Sequence, residues 1–142
     1  MTAPARAALY SRDLLGLAVE LAGYPHDPGA SVHGEARSRS CGSTIALSAS
    51  EGMQDIGLKV AACAVGQASA AIFAAAAQGK SLAEIDAAAA AIAQWLAGEG
   101  TAPDWPRIEM LAPALPYHGR HEAILLPWRA ASAALSKGQA GR

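Results

Sequence analysis

The order of local patterns predicts an α+β fold: a small antiparallel sheet of about three strands packed against four or five helices. Three observations carry this. Apolar and polar residues alternate in Thr44-Ile45-Ala46-Leu47-Ser48-Ala49-Ser50 and again in Ile56-Gly57-Leu58-Lys59-Val60, with Glu51-Gly52 between them as a turn signal. Helical patterns then follow without further strands. No strand-helix alternation of the kind that builds a parallel sheet occurs, and no internal repeat is evident.

Taken in order, Leu9, Leu14, Leu15, Leu17, Ala18 and Leu21 recur near helical spacing and predict a first helix from Ala7 to about Ala22. Gly23 and Pro25 end it, and Pro28-Gly29 prolongs the turn. A short strand over Ser31–Arg37 is the weakest element, because Val32 is its main apolar residue. In the hairpin, side chains alternate across each strand, so Ile45, Leu47, Ile56, Leu58 and Val60 face a core. A helix runs from Cys63 to about Gln78, with Gly79 placed as its C-cap. Ser81 and Glu84 form a capping-box signature for the next helix, to roughly Ala97. Gly98, Gly100, Pro103 and Pro106 mark a loop, with a helical turn near Ile108 to Leu111. The last helix is expected from about Arg120 to Leu135, with Pro127 as an interior kink. The alanine runs at Ala74–Ala77 and Ala87–Ala91 read as packed helix, since alanine is the best helix former and lets helices approach closely.

The 142 residues, 52% of them hydrophobic, suffice for one domain spanning residues 1–142, with a tail expected to fray from about Lys137. A net charge of −1, no polybasic run and few aromatics argue against nucleic acid as a partner. The greasiest stretches, Ala61–Ala77 and Ala83–Ala97, are mostly alanine interrupted by Gln67, Glu84, Asp86 and Gln94, which argues against a membrane span. The N-terminal residues lack the pattern of an export signal, so the cytoplasm is the expected compartment. There, free thiols or metal ligands are expected of Cys41 and Cys63 rather than a structural disulfide.

Those two cysteines are the most informative residues. Cys41 sits in Ser40-Cys41-Gly42-Ser43-Thr44 just before the alternating strand, and Cys63 opens an Ala-rich helix. The unpaired N–H groups and dipole of a helix start favour a thiolate. Two thiols so placed point to one metal or sulfur centre. Gly42 and Gly66 support such a site by permitting close backbone approach.

With these residues in place, the chain resembles, over nearly its whole length, the iron-sulfur cluster assembly scaffolds of the IscU type, also found as the N-terminal domain of NifU. Leu9-Tyr10-Ser11 is similar to the family's opening, Cys41-Gly42 to its first ligand loop, and Cys63-Ala64 with Gln67-Ala68-Ser69 to its second. Gly79-Lys80-Ser81-Leu82 resembles the turn between helices, and Arg120-His121 with Ile124-Leu125-Leu126 and Trp128 resembles the segment carrying the third cysteine. That cysteine is missing here, its place taken by Glu122 or Ala123 according to the register, and the aspartate after Cys-Gly is replaced by Ser43.

The resemblance implies a non-enzymatic scaffold that binds an iron-sulfur cluster, or zinc in its place, and passes it to partners: a cysteine desulfurase as sulfur donor and acceptor apoproteins as recipients. Cys41, Cys63 and His121 would give a Cys2His set with an open fourth position, which zinc accepts and a cluster could use. Glu122 completes the set as a carboxylate or is a solvated helix residue. Two alternatives stand beside this: a zinc-dependent acceptor of persulfide sulfur from a desulfurase, and a degenerate scaffold that survives as an interaction protein.

Other polar residues rank lower. His118 is three residues before His121, so either both lie on one helical face or one precedes the helix. His26 and His33 are expected in a loop or strand edge without partners, and Arg37 and Arg39 at a solvated strand edge, although the two arginines could also stabilise a thiolate. Lys80 is expected in an exposed turn.

Overall fold

A computed structural model describes residues 11–40 and 42–140. The sheet is a three-stranded antiparallel meander of β1 (Val32–Arg37), β2 (Thr44–Ser50) and β3 (Gln54–Ala61), with β2 central. The α-helices are α1 (Arg12–Glu20), α2 (Ala64–Ala76), α3 (Leu82–Leu96) and α4 (His121–Ala140). Short 3-10 turns occupy Leu21–Gly23, Ile108–Ala114 and His118–Arg120. The α+β fold read from the sequence is the observed one, including the strand over Val32–Arg37.

Register fixes which side chains share a face. Gly34 lies opposite Leu47, and Leu47 opposite Leu58, so this row faces the helices. The row of Glu35, Ala46 and Lys59 lies on the other face. β1 lacked a hydrophobic signature because its inner position is filled from outside the strand. A Cβ on Gly34 would overlap the Ala130 carbonyl oxygen and stand 2.7 Å from the Cβ of Ala134, so α4 lies directly on the strand backbone. One end of the outer face is also covered. Tyr24–Asp27 crosses it, with the Leu58 N–H donating to the Tyr24 carbonyl (2.8 Å) and the Asp27 N–H to Ser48 Oγ (2.9 Å). Ser48 is therefore fully buried on a face that alternation alone would leave wet.

The core runs through the sheet and the four α-helices among the described residues, with Leu14 and Leu17 from α1, Leu47 from β2, Phe73 from α2, Ile85 and Ile92 from α3, and Ile124 and Trp128 from α4. Phe73 stacks on Trp105 at 5.9 Å and Trp128 stands edge-on to both, at 5.3 and 5.1 Å. Trp105 Nε1 donates to the Ile72 carbonyl (3.0 Å). Lys80, expected in an exposed turn, is half-buried with Nζ 5.3 Å from the Trp105 ring centroid. Glu20 and Arg107 pair through both carboxylate oxygens (3.0 and 3.1 Å), tying α1 to the loop after α3.

Local signals hold where they are self-contained. Ser81 and Glu84 make the full capping box on α3. Four boundaries differ from the sequence reading. α1 begins at Arg12 rather than Ala7, with Ser11 as an extended N-cap whose hydroxyl accepts from the Leu14 N–H (3.3 Å). β3 begins at Gln54 rather than Ile56: Met53 (φ 57°) closes the turn, Gln54 already pairs with Ser50, and Asp55 (φ 49°) lies at a register irregularity inside the strand. α2 stops at Ala76 with Ala77 as its cap, and Gly79 follows in the left-handed region with φ 78°. α4 passes through Pro127 and continues to Ala140, beyond the end expected at Leu135. Among the described residues no helix is long and apolar enough to cross a membrane.

Candidate functional site

Three segments meet at one end of the sheet: the β1–β2 loop, the start of α2 and the first turn of α4. The loop closes on itself, with the Ser38 N–H donating to the Ser43 carbonyl (2.8 Å) and the Gly42 N–H to the Ser38 carbonyl (3.2 Å). Gly42 takes φ 71°, a conformation for which glycine is the natural choice. Ser43, which stands where the resembled family has an aspartate, is only 5% exposed. Cys41 belongs to this loop but lies outside the described residues, as do Leu9 and Tyr10.

Cys63 is the N-cap of α2, with extended backbone (φ −67°, ψ 172°) and a half-buried side chain that makes no capping hydrogen bond. Its carbonyl accepts from the Gln67 N–H (2.9 Å), while Gln67 Nε2 donates to the Ala62 carbonyl (2.9 Å). The thiol thus stands at a helix start whose first turn is anchored by a neighbour rather than by itself.

α2 and α4 meet closely just beyond this point. A Cβ on Gly66 would stand 2.7 Å from the Cβ of Ala62 and 3.4 Å from that of Ala123, which explains the glycine. One turn on, Ser69 Oγ donates to the Ile124 carbonyl (2.6 Å) inside the core. Pro127 has no N–H to offer the carbonyl of Ala123 four residues earlier, and that carbonyl faces Gly66. The helix continues through Pro127 to Ala140, with α2 packed against the turn that precedes the proline.

The first turn of α4 presents His121 and Glu122. His121 Nε2 lies 2.9 Å from the Leu115 carbonyl, which can only accept, so Nε2 carries the proton and the neutral ring keeps its lone pair on Nδ1. A metal-ligating imidazole is commonly oriented by this kind of bond from its other nitrogen to a backbone carbonyl. His118 is in the 3-10 turn that precedes the helix, and its ring centroid is 5.0 Å from that of His121.

Glu122 is half-exposed, but its carboxylate is partnered across the site. Its carboxylate accepts from the Ser40 N–H (3.1 Å) and the Arg39 N–H (3.4 Å), and Arg129 Nη1 approaches to 3.7 Å. Hydrogen bonding from the Ser40 side chain, helped by the two backbone N–H groups and the Arg129 charge, holds the carboxyl below its ordinary range against a desolvation effect that pushes it up. Nothing local in the sequence announces this coupling, because the partners are 82 and 83 residues apart.

Elsewhere, Arg37 and Arg39 are exposed, as expected. His26 and His33 depart from expectation, being half-buried with ring centroids 5.9 Å apart, brought together by the segment that crosses the sheet. Among the described residues, which omit Cys41, no group of three or more His, Cys, Asp or Glu side chains is arranged to hold a metal ion.

Comparison with known proteins places this architecture. A NifU-like nitrogen-fixing protein (N-terminal) from Brucella abortus has the same fold with a TM-score of 0.84 and 25% identity, covering 97% of this chain and 99% of its own. An iron-sulfur cluster assembly scaffold protein for the SUF system from Fervidobacterium islandicum AW-1 matches with a TM-score of 0.77 and 21% identity over 89% of this chain and 96% of its own. A hypothetical protein matches at 0.63 and 20% identity, over 87% and 96%. No protein-family model and no curated protein matches the chain.

Proposed function

We propose that this chain, whose fold and structural neighbours are those of the IscU/NifU-type scaffold family, works as a scaffold that holds an iron-sulfur cluster or a metal ion and passes it to partner proteins. The observation that carries the reading is the convergence, within that fold, of the Cys63 helix start, the His121–Glu122 turn and the loop to which Cys41 belongs. In this reading Cys41 and Cys63 supply thiolates and His121 supplies Nδ1. A softer donor set than carboxylates and water suits iron, zinc or a cluster. The fourth position stays open for exchange, with Glu122 as the alternative fourth donor. Cargo delivery, rather than turnover of a substrate, is the activity, with a cysteine desulfurase as sulfur donor, acceptor apoproteins as recipients and the cytoplasm as the compartment.

The test is the iron, zinc and acid-labile sulfide content of anaerobically purified protein beside Cys41→Ser, Cys63→Ser and His121→Ala. Iron with sulfide in the parent, lost in the cysteine variants, is the expected result. Zinc alone, with persulfide forming on one cysteine after incubation with desulfurase and cysteine, would replace this reading with the zinc-dependent sulfur acceptor. Absence of metal, cluster and persulfide under all conditions would leave a degenerate scaffold that acts by interaction.

A further inference from the structure

Accounting for the β1–β2 loop's N–H groups singles out one side chain. Ser38 and Gly42 find carbonyl acceptors inside the loop. The Arg39 and Ser40 N–H groups both go to the carboxylate of Glu122 (3.4 and 3.1 Å). We propose that Glu122 is a positioning residue of the candidate site: its carboxylate holds the Arg39–Ser40 backbone, and so the chain leading into Cys41, against the first turn of α4. The inference deepens the scaffold reading and rests on Cys41 and Cys63 being its thiol donors.

The chemistry of the residue fits the task. A carboxylate offers two oxygens to two consecutive N–H groups, and bonds to an ionised acceptor are the strong kind. The start of a helix favours negative charge, so α4 itself stabilises Glu122 in its first turn. Arg129, two turns along the same helix, approaches the oxygen that Arg39 uses, which is Oε2. The same helix turn is locked to α2 by Ala123 against Gly66 and by the Ser69 hydroxyl on the Ile124 carbonyl. The chain from Ser40 to α4 to the helix that Cys63 caps is therefore continuous and short. Where the resembled scaffolds place a third thiol, or one residue before it, this chain has a group that organises the approach to one of the remaining two.

Amide hydrogen exchange and thiol alkylation, measured on the metal-free full chain for the parent, Glu122→Ala and Glu122→Gln, test this. Glu122→Ala is expected to raise exchange at Arg39 and Ser40 by about tenfold or more, the factor a charge-assisted hydrogen bond supplies. It is also expected to speed iodoacetamide alkylation of Cys41 several-fold while Cys63 keeps its rate. Glu122→Gln retains one acceptor oxygen and should recover part of both effects. Unchanged exchange, or faster exchange with an unchanged Cys41 to Cys63 alkylation ratio, overturns the positioning role. So does zinc binding to the parent that exposes the Arg39 and Ser40 amides, because Glu122 would then have left them to ligate the metal. If the parent binds neither metal nor cluster, the scaffold reading fails by itself, and the exchange and alkylation results still decide the role of Glu122.

Discussion

Replacing Gly34 with alanine probes the contact that sets β1 on α4. At an unobstructed strand position the change would be neutral or stabilising by about 0.5–1 kcal/mol, because alanine has less backbone freedom to lose on folding. Here the added Cβ would overlap the Ala130 carbonyl and stand 2.7 Å from both the amide nitrogen and the Cβ of Ala134. Ordinary carbon contacts lie near ~3.5 Å, so α4 would have to withdraw by roughly 1 Å. The obstructing atoms are helix backbone and a Cβ, neither of which can rotate away. Overpacking of this kind costs about 1–3 kcal/mol or more, which outweighs the entropic gain. At about 2–4 °C per kcal/mol for a chain of this size, the midpoint should drop by roughly 3–10 °C. Urea unfolding should show a lower midpoint with an unchanged slope. Because α4 also carries Glu122, exchange at the Arg39 and Ser40 amides should rise in the same variant. A Gly34→Ala protein as stable as the parent, or more so, would refute the close approach and with it the account of why β1 has so little hydrophobic content.

Gly16→Ala is the counterpart: Gly16 is exposed within α1 and an added Cβ meets nothing within 4 Å, so stability in urea should rise by about 0.5–1 kcal/mol. Ser69→Ala removes the buried hydroxyl bond to the Ile124 carbonyl and should cost about 1–2 kcal/mol in the same assay, with a loss of metal affinity if the α2–α4 joint supports the site. Ser81→Ala removes the α3 cap and should cost about 1 kcal/mol near neutral pH. Backbone and side-chain hydrogen bonds from Ser81 lower the Glu84 pKa below its ordinary 4.5, so that carboxylate's contribution is complete above 4.5 and disappears as pH falls through its lower folded value. Parent and Ser81→Ala should therefore both lose stability on acidification through that window, followed by urea midpoints from pH 6 downward, and most of the gap between them should persist, because alanine keeps the backbone N–H that holds Glu84 and the lost hydroxyl bond does not titrate. Ala123→Cys should destabilise and add no thiolate-to-cobalt charge transfer, because position 123 is closed against α2.

What was legible in the sequence was what neighbouring residues decide among themselves. The capping box needs only Ser81 and Glu84, and the β2–β3 pairing needs only alternation on either side of a turn. What was hidden depends on distant partners. β1 is faint because α4 replaces its side chains at Gly34, and the burial of Ser48 is invisible to alternation because it comes from Tyr24–Asp27, a segment more than twenty residues away, crossing above it. The first residues of β3 were hidden because Asp55 takes left-handed backbone at a register irregularity inside the strand, which breaks the alternation ahead of Ile56. At the site, helix-start placement of Cys63 could be read directly, since a change of period at Ala64 marks it. The role of Glu122 could not, since ligand, solvated residue and loop anchor all use the same side chain.

The register left open by the sequence, Glu122 or Ala123 for the place of the missing cysteine, has a physical discriminator. The two positions are adjacent but their surroundings are opposite. Ala123 is 1% exposed, packed where α2 has a glycine to admit it. The Glu122 side chain is 32% exposed and reaches the loop that leads to Cys41. A donor to cargo that must leave again has to be reachable by a partner, and a helix position sealed against another helix is not. Position 122 meets that requirement and position 123 does not. Under the proposed scaffold reading, the place of the missing thiol is therefore position 122, on the outward-facing turn of α4.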